Sequence, residues 1–262
     1  MSLVFFAKKG PVASVSLNRP DKRNAMSFAL LKELVDTAQR IKKDKSIRVV
    51  IISGVGEAFS AGIDLSDLNN PKNSLFAAWE LIKPNQSLFQ KAFLIWQDLP
   101  VPVIAVTQGY CLGAGMQLAL GADIRISTPD CKFSIMESRW GLVPDMGLTR
   151  SLKGIIPLDV AKELTLTARI FSGTEAKALG LVTHIDANPM AAAEVLAAEL
   201  ITRSPDALLA GKRVLNAMEH QPKRALRLEK LWQLKLIMGK NSKIARKKDK
   251  HPDMDFAPRQ FD

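Results

Sequence analysis

The 262-residue chain has few of the residues that mark several large classes of protein. It contains two cysteines, Cys111 and Cys131, which are too few for a disulfide framework, and no CxxC or Cys/His cluster has the spacing of metal ligands. No stretch approaches the ~20 apolar residues of a membrane span, and the N-terminus lacks a basic leader before a long apolar run. We therefore expect a cytoplasmic protein with no metal site, no signal peptide and no membrane segment.

Positive charge is plentiful but unevenly distributed. The chain has a net charge of +11, and residues 203–262 carry +8 of it, from 15 Lys and Arg against 7 Asp and Glu. The pattern from Pro205 onward is helical throughout, so we predict a core over residues 1–202 and a basic helical segment over residues 203–262. Such a segment can bind a polyanion, either nucleic acid or a phosphorylated cofactor, or it can be an ordinary solvated helix face.

Apolar patterns in the first 200 or so residues alternate between strand and helix. Residues 3–7 and 12–17 read as two strands around a Lys-Lys-Gly-Pro turn, and residues 28–41 have the apolar spacing of an amphipathic helix. Short apolar runs rich in β-branched residues over 48–53, 101–107 and 122–127 predict buried strands. The predicted fold class is α/β.

A glycine-rich stretch, residues 109–117 (GYCLGAGMQ), follows the strand predicted over 101–107 and opens a helical pattern near Gly113. Small residues leave backbone N–H groups uncovered there. The N-terminus of a helix has unpaired N–H donors and the positive end of the helix dipole, so it suits an oxygen that carries negative charge. This stretch therefore predicts a site for an anionic oxygen.

A second glycine-containing turn, residues 57–65 (EAFSAGIDL), follows the strand predicted over 48–53. Two such turns after two strands can each aim one N–H group at a shared point. That arrangement is an oxyanion hole, which stabilises the charge that develops on a carbonyl oxygen and contributes about 3 kcal/mol per donor. Together, the two turns predict an enzyme that acts on a carbonyl compound.

Several motifs in order resemble the crotonase superfamily of enoyl-CoA hydratases and isomerases, over most of residues 11–185. They are LNRPDKRNAM at 17–26, FSAGIDL at 59–65, GYCLGAGMQL at 109–118, ADIR at 122–125, FSIME at 133–137 and GLVP at 141–144. The resemblance implies a spiral of repeated β-β-α units followed by a C-terminal all-helical trimerisation segment. It also implies an acyl-CoA thioester substrate, no cofactor beyond the coenzyme A that the substrate carries, and a homotrimer or a pair of trimers.

The resemblance also implies where the thioester binds. The N–H groups of Ala61 and Ala114 would bind the thioester oxygen and hold the enolate that forms when a proton leaves the α-carbon. The neighbouring backbone would form the adenine pocket and the rest of the coenzyme A site, through Ala58, Phe59, Ala61, Gly62, Ile63, Asp64 and Ala114. Lys22 and Arg23 would contact phosphates, or they are ordinary surface charges.

The acid and base groups decide which reaction the family's scaffold performs. Hydratases of this family use two glutamates, at the positions of Gln117 and Glu137 in this chain. An amide cannot take up or release a proton at neutral pH, so Gln117 can orient a group but cannot act as a general base. Since one carboxylate suffices for a 1,3-proton shift, Glu137 alone favours double-bond isomerisation.

Asp145 keeps a second reaction open. It lies eight residues after Glu137, at a position where an aspartate takes part in chemistry in some members of the superfamily. As a second acid it would permit hydration of an enoyl-CoA. Alternatively, the sequence Pro-Asp-Met-Gly places Asp145 as the N-cap of the next helix.

Acyl specificity is expected in residues 69–97, a segment rich in aromatic side chains. These aromatic residues line an acyl pocket or, as we favour, pack against the core; they are Phe76, Trp79, Phe89, Phe93 and Trp96.

Two functions of other classes are also open. One is RNA binding by the basic C-terminal helices, which is disfavoured because Trp232 is their only interleaved aromatic residue. The other is acyl-CoA binding without turnover.

Overall fold

The computed structural model describes residues 2–68, 70–218, 231, 233, 235, 236, 238–248 and 251–261. Within these residues, nine strands form a six-stranded and a three-stranded sheet: β1 (Val4–Lys9), β2 (Val12–Leu17), β3 (Val49–Gly54), β4 (Val103–Thr107), β5 (Tyr110–Leu112), β6 (Ile124–Ser127), β7 (Lys132–Ser134), β8 (Phe171–Ser172) and β9 (His184–Ile185). Among these described residues, no helix combines the length and apolarity needed to cross a bilayer.

The larger sheet has the strand order β1-β2-β3-β4-β6-β9. β1 and β2 form the predicted antiparallel hairpin, and every other pairing in this sheet is parallel. β3 (VVIISG) and β4 (VIAVT) are buried along almost their whole length because helices cover the sheet. The carboxyl ends of these two central strands lead directly into the two glycine-containing turns.

The smaller sheet joins β5, β7 and β8. β5 lies inside the glycine-rich stretch, where no strand was predicted. The Ser60 N–H donates to the Tyr110 carbonyl at 2.8 Å, and the Leu112 N–H donates to the Ser60 carbonyl at 3.0 Å. β5 therefore fixes the turn after β3 against the turn after β4.

The helices are α1 (Phe28–Lys43), α2 (Leu65–Leu68), α3 (Pro71–Ile82), α4 (Leu88–Leu94), α5 (Ala114–Leu120), α6 (Leu148–Ser151), α7 (Leu158–Thr167), α8 (Gly173–Ala178), α9 (Pro189–Ile201), α10 (Pro205–Met218) and α11 (Lys240–Lys248). Short 3₁₀ turns lie at Pro20–Lys22 and Glu137–Trp140. α1 is the predicted amphipathic helix: Ser27 caps its N-terminus, and its apolar face is buried in the core.

The C-terminal helices pack onto the α/β core through buried polar contacts. Lys212 of α10 forms an ion pair of 2.7 Å with Asp123 and donates to the carbonyl oxygens of Trp96 and Val101. Asp206, at the start of α10, accepts from Asn241 of α11 at 2.8 Å. Much of the basic segment, including residues 219–230 and Trp232, lies outside the described residues, so the division at residue 202 and the trimerisation role stay predictions.

Candidate active site

Two backbone turns meet at the start of α5. Gly62 has φ +104°, and a Cβ atom there would lie 3.1 Å from the Leu112 carbonyl oxygen and 3.8 Å from the Ala114 amide nitrogen. A Cβ atom on Gly115 would lie 2.8 Å from both Cβ and the carbonyl oxygen of Ser60. The turns approach this closely because these two positions have no side chain.

The turn after β3 is also held by Asn24, a role that sequence reasoning did not identify. The buried Asn24 side chain donates to the carbonyl oxygens of Ala58 and Val55, at 2.7 and 3.0 Å. In return, the Ser60 hydroxyl donates to the Asn24 carbonyl at 2.8 Å. The motif at residues 17–26 therefore orients the turn that faces the cavity, and its asparagine is the signal that could have revealed this.

The prediction that the Ala61 N–H binds a substrate oxygen is wrong. That N–H donates to the Arg23 carbonyl at 2.9 Å, so it is already used inside the fold. The Ala114 N–H, in contrast, stands at the first residue of α5 and has no acceptor in the part of the chain that the structure describes. Ala114 therefore keeps a free donor and Ala61 does not.

Ile63 supplies the second unpaired donor. Met26 donates to the Gly62 carbonyl and accepts from the Asp64 N–H, at 2.8 and 3.0 Å, in a parallel bridge opposite Ile63. Because alternate N–H groups of an extended segment point to opposite sides, the Ile63 N–H points away from Met26. It has no acceptor among the described residues. The pair of unpaired donors is Ile63 and Ala114.

A cavity of about 250 Å³ lies beside these two N–H groups. Its lining includes six of the predicted site residues, Ala61, Gly62, Ile63, Ala114, Glu137 and Asp145, together with Leu65, Ala77, Leu81, Phe89, Gly113, Met136, Trp140, Leu142, Val143 and Met146. The two carboxylates are its only ionisable side chains within the described chain. The structure therefore brings the predicted acid and base groups, Glu137 and Asp145, to the same cavity as the N–H donors of Ile63 and Ala114, of which only Ala114 was predicted as a donor.

The other predicted site residues lie outside this cavity. Ala58 and Phe59 are buried in the turn, and Asp64 forms an ion pair of 2.8 Å with Arg19. Lys22 and Arg23 are exposed, and the Arg23 guanidinium stands 5.1 Å from the centre of the Tyr110 ring. Their contacts with coenzyme A stay predictions.

Glu137 and Gln117 are joined by a hydrogen bond. Gln117 is buried on α5 and donates from Nε2 to Glu137 Oε1 at 2.6 Å. The other oxygen, Glu137 Oε2, is buried and has no hydrogen-bond partner in the described structure. Burial raises the pKa of Glu137, the hydrogen bond from Gln117 lowers it, the charge of Asp145 raises it, and the net change is upward. A carboxylate with a raised pKa and one free oxygen suits proton transfer.

Asp145 is not a helix N-cap, so that alternative is wrong. The next helix, α6, begins at Leu148, and its N-cap is Gly147, whose φ of +91° suits glycine. Asp145 instead is an exposed residue that lines the same cavity as Glu137, and the partial burial of its carboxyl group raises its pKa. A catalytic role for Asp145 stays a prediction.

Of the five aromatic residues of the predicted acyl segment, three are buried, whereas Phe76 and Trp79 are 40% and 59% exposed. Phe93 and Trp96 are buried in the core, as favoured, whereas Phe89 also lines the cavity. The Phe89 ring packs against Phe28 and Phe76, with centroid distances of 5.1 and 6.4 Å. Sequence reasoning missed the aliphatic residues of the lining, although the GLVP motif contains two of them, Leu142 and Val143.

No group of three or more His, Cys, Asp or Glu side chains in the described residues could hold a metal ion. The polar groups at the cavity include two unpaired backbone N–H donors and two carboxyl groups. Such a set can stabilise an anionic oxygen and move a proton at a carbon within reach of it.

The chain is similar to known proteins along most of its length. The family model described as enoyl-CoA hydratase/isomerase matches residues 7–248. The Delta(3,5)-Delta(2,4)-dienoyl-CoA isomerase of mouse mitochondria is 37% identical over 237 residues, which cover 86% of this chain and 72% of that protein.

Solved structures extend the similarity to the whole fold. An enoyl-CoA hydratase from Bacillus anthracis superposes with a TM-score of 0.87 at 28% identity, over 98% of each chain. A protein from Thermobifida fusca, solved in complex with acetoacetyl-CoA, has a TM-score of 0.81 at 31% identity and covers 90% of this chain and 94% of its own. The α/β core with its C-terminal helices is the crotonase fold that the motifs predicted.

Proposed function

This chain belongs to the enoyl-CoA hydratase/isomerase family, and within it we propose that the chain moves a carbon–carbon double bond of an enoyl-CoA thioester. One observation carries the proposal: Glu137 lines the cavity and has one carboxylate oxygen without a hydrogen-bond partner among the described residues, while the position that would supply a second glutamate holds an amide. The similarity to a dienoyl-CoA isomerase also favours isomerisation.

The proposed reaction is a proton shift within the substrate. The N–H groups of Ile63 and Ala114 hold the thioester oxygen, and Glu137 takes a proton from C2 of a 3-enoyl thioester. The electron pair of the broken C–H bond delocalises through the enolate onto the thioester oxygen, where the two N–H donors stabilise it. Glu137 then returns the proton to C4, which leaves the double bond between C2 and C3 and a carboxylate ready for the next cycle.

The acyl group that fits this cavity is a hydrocarbon chain. Apart from Glu137 and Asp145, the described lining is apolar, with Leu81, Phe89 and Val143 among its larger side chains. A carboxylate on the acyl chain would meet the negative charges of Glu137 and Asp145, and that lining contains no Lys, Arg or His to pair with it. Burying an unpaired charge is costly, so such substrates are disfavoured.

Hydration is the second candidate, and the position of Asp145 favours it. Because Asp145 lines the same cavity as Glu137 and has a raised pKa, it can supply the second acid that water addition requires. In this case the enzyme would add water to a 2-enoyl-CoA with Glu137 and Asp145 as the two carboxyl groups.

For the assembly, we propose a homotrimer or a pair of trimers. Leu158 and Leu166 of α7 are 70% and 74% exposed, and a neighbouring subunit would cover such side chains. Sedimentation of the purified chain tests this, since a stable and fully active monomer would contradict it. Part of the basic charge of residues 203–262 would then attract the phosphates of coenzyme A rather than RNA.

The reaction is tested with purified protein and two substrates, 3-enoyl-CoA and 2-enoyl-CoA, by following the ultraviolet absorbance of the conjugated thioester. We expect absorbance to rise with 3-enoyl-CoA and to stay nearly constant with 2-enoyl-CoA. Loss of absorbance with 2-enoyl-CoA, with a 3-hydroxyacyl product, would establish hydration instead. Turnover of neither substrate would contradict both candidates.

A further inference from the structure

Gln117 connects the two segments that carry the carboxyl groups of the cavity. Its Nε2 donates to Glu137 Oε1 at 2.6 Å, and its Oε1 accepts from the backbone N–H of Met146 at 3.2 Å. The side chain itself does not belong to the cavity lining and is 1% exposed. It therefore lies behind Glu137, between that residue and the loop that bears Asp145.

The orientation of the Gln117 amide is fixed by whether each of its two partners donates or accepts a hydrogen bond. The Met146 N–H can only donate, so it requires the amide oxygen, and the Glu137 carboxylate can only accept, so it requires the amide nitrogen. A glutamate at this position would satisfy Met146 but would face Glu137 with a second negative charge unless it were protonated. An amide is thus the side chain of this size that satisfies both partners without a proton.

We propose that Gln117 is a positioning residue: it holds Glu137 by Oε1 so that Oε2 alone points to the substrate, and it keeps the loop of Asp145 in register with Glu137. This inference rests on the proposed function for its catalytic meaning, but its structural content can be measured without turnover. The positioning role of Gln117 also differs from the direct proton transfer that a glutamate at position 117 would perform.

The tests compare wild type with Gln117→Met, which keeps the size and removes both hydrogen bonds, and with Leu118→Met as the matched control. Leu118 is fully buried on the same helix, and exchange of Leu for Met conserves volume. Circular dichroism shows whether each variant folds. Loss of a hydrogen bond to a charged group costs free energy that corresponds to about a tenfold change in a rate constant. We therefore expect kcat of Gln117→Met to fall about tenfold with KM nearly unchanged.

A titration separates this inference from the proposed reaction. The side-chain carboxyl carbons are followed by 13C NMR as pH is varied, and the Glu137 signal is identified by its absence in Glu137→Gln. We expect the Glu137 midpoint to lie at higher pH in Gln117→Met than in wild type, and to be unchanged in Leu118→Met. Equal midpoints in wild type and Gln117→Met would overturn the positioning role, whatever the substrate. An absence of isomerisation by wild type would instead overturn the proposed function.

Discussion

Glu137 and Asp145 line one cavity, and the negative charge of Asp145 adds to burial in raising the pKa of Glu137. The base form of Glu137 starts the proposed reaction. Activity should therefore fall as pH is lowered through the pKa of Glu137, which lies above the ordinary value for glutamate. The acid limb of the pH profile of kcat/KM measures this, and a limb at or below that ordinary value would contradict it.

Asp145→Asn separates the two candidate reactions. The substitution removes a neighbouring negative charge, so the pKa of Glu137 should decrease and the acid limb should move to lower pH. Isomerisation of 3-enoyl-CoA should persist, because Glu137 carries the proton alone. If water addition is the reaction, the same variant should lose it. Loss of isomerisation in a folded Asp145→Asn protein would show that two carboxyl groups are needed.

Glu137→Gln should make the protein more stable at neutral pH. A carboxyl group whose pKa is raised by folding favours the folded state when protonated, and that contribution is lost as pH rises from the ordinary pKa of glutamate through the raised pKa. The variant should therefore have a higher Tm than wild type at neutral pH, and the difference should shrink in acid. Glu199→Gln, at an exposed position, serves as the control and should show no such pattern. A lower Tm of Glu137→Gln at neutral pH would contradict this prediction.

Gly62→Ala tests the pairing of the two turns. Its φ of +104° disfavours any side chain, and the added Cβ would press on the Leu112 carbonyl at 3.1 Å, just before the Ala114 donor. Displacing one oxyanion donor lowers kcat by about a hundredfold. Gly10→Ala is the matched control, because Gly10 also has a positive φ but has no atom within 4 Å of the added Cβ. Equal kcat values in the two variants would argue against a donor at Ala114.

The ion pair between Lys212 and Asp123 should anchor α10 to the core. Lys212→Met leaves the buried Asp123 without its ion-pair partner, so the free energy of unfolding should fall by about 3 kcal/mol. Asp123→Asn combined with Lys212→Met should lose less than the sum of the two single variants. Arg203→Met breaks the exposed pair with Glu199 and should have little effect. Denaturant unfolding measures all four variants, and additive effects would contradict direct coupling.

The strands and the cavity carboxylates could be predicted because they depend on local patterns. The runs around residues 50 and 105 are β-branched and end at glycine turns, and the motifs around Glu137 and Asp145 place both near those turns. Which N–H group of the turn after β3 faces the cavity could not be predicted in this way. It depends on the distant pairing of Met26 with Ile63, which turns the Ile63 amide outward and leaves Ala61 bonded to Arg23.

Two other features also depended on tertiary structure. The three-residue strand β5 is too short to have a sequence pattern, and it forms because it pairs with β7 and because Ser60 donates to the Tyr110 carbonyl and accepts from the Leu112 N–H. The role of Gln117 could be predicted only in part. Its amide excluded a proton-transfer role, but its bonds to Glu137 and Met146 depend on how the loop before α6 folds back over α5.

In the proposed isomerisation, Glu137 carries the proton from C2 to C4. The most direct measurement is the steady-state rate of 3-enoyl-CoA isomerisation by wild type and by Glu137→Gln, with acyl-CoA affinity measured separately. Removal of the general base should lower kcat about a thousandfold while the affinity for acyl-CoA stays within a few fold. Isomerisation by Glu137→Gln at a rate close to that of wild type would show that Glu137 does not carry the proton.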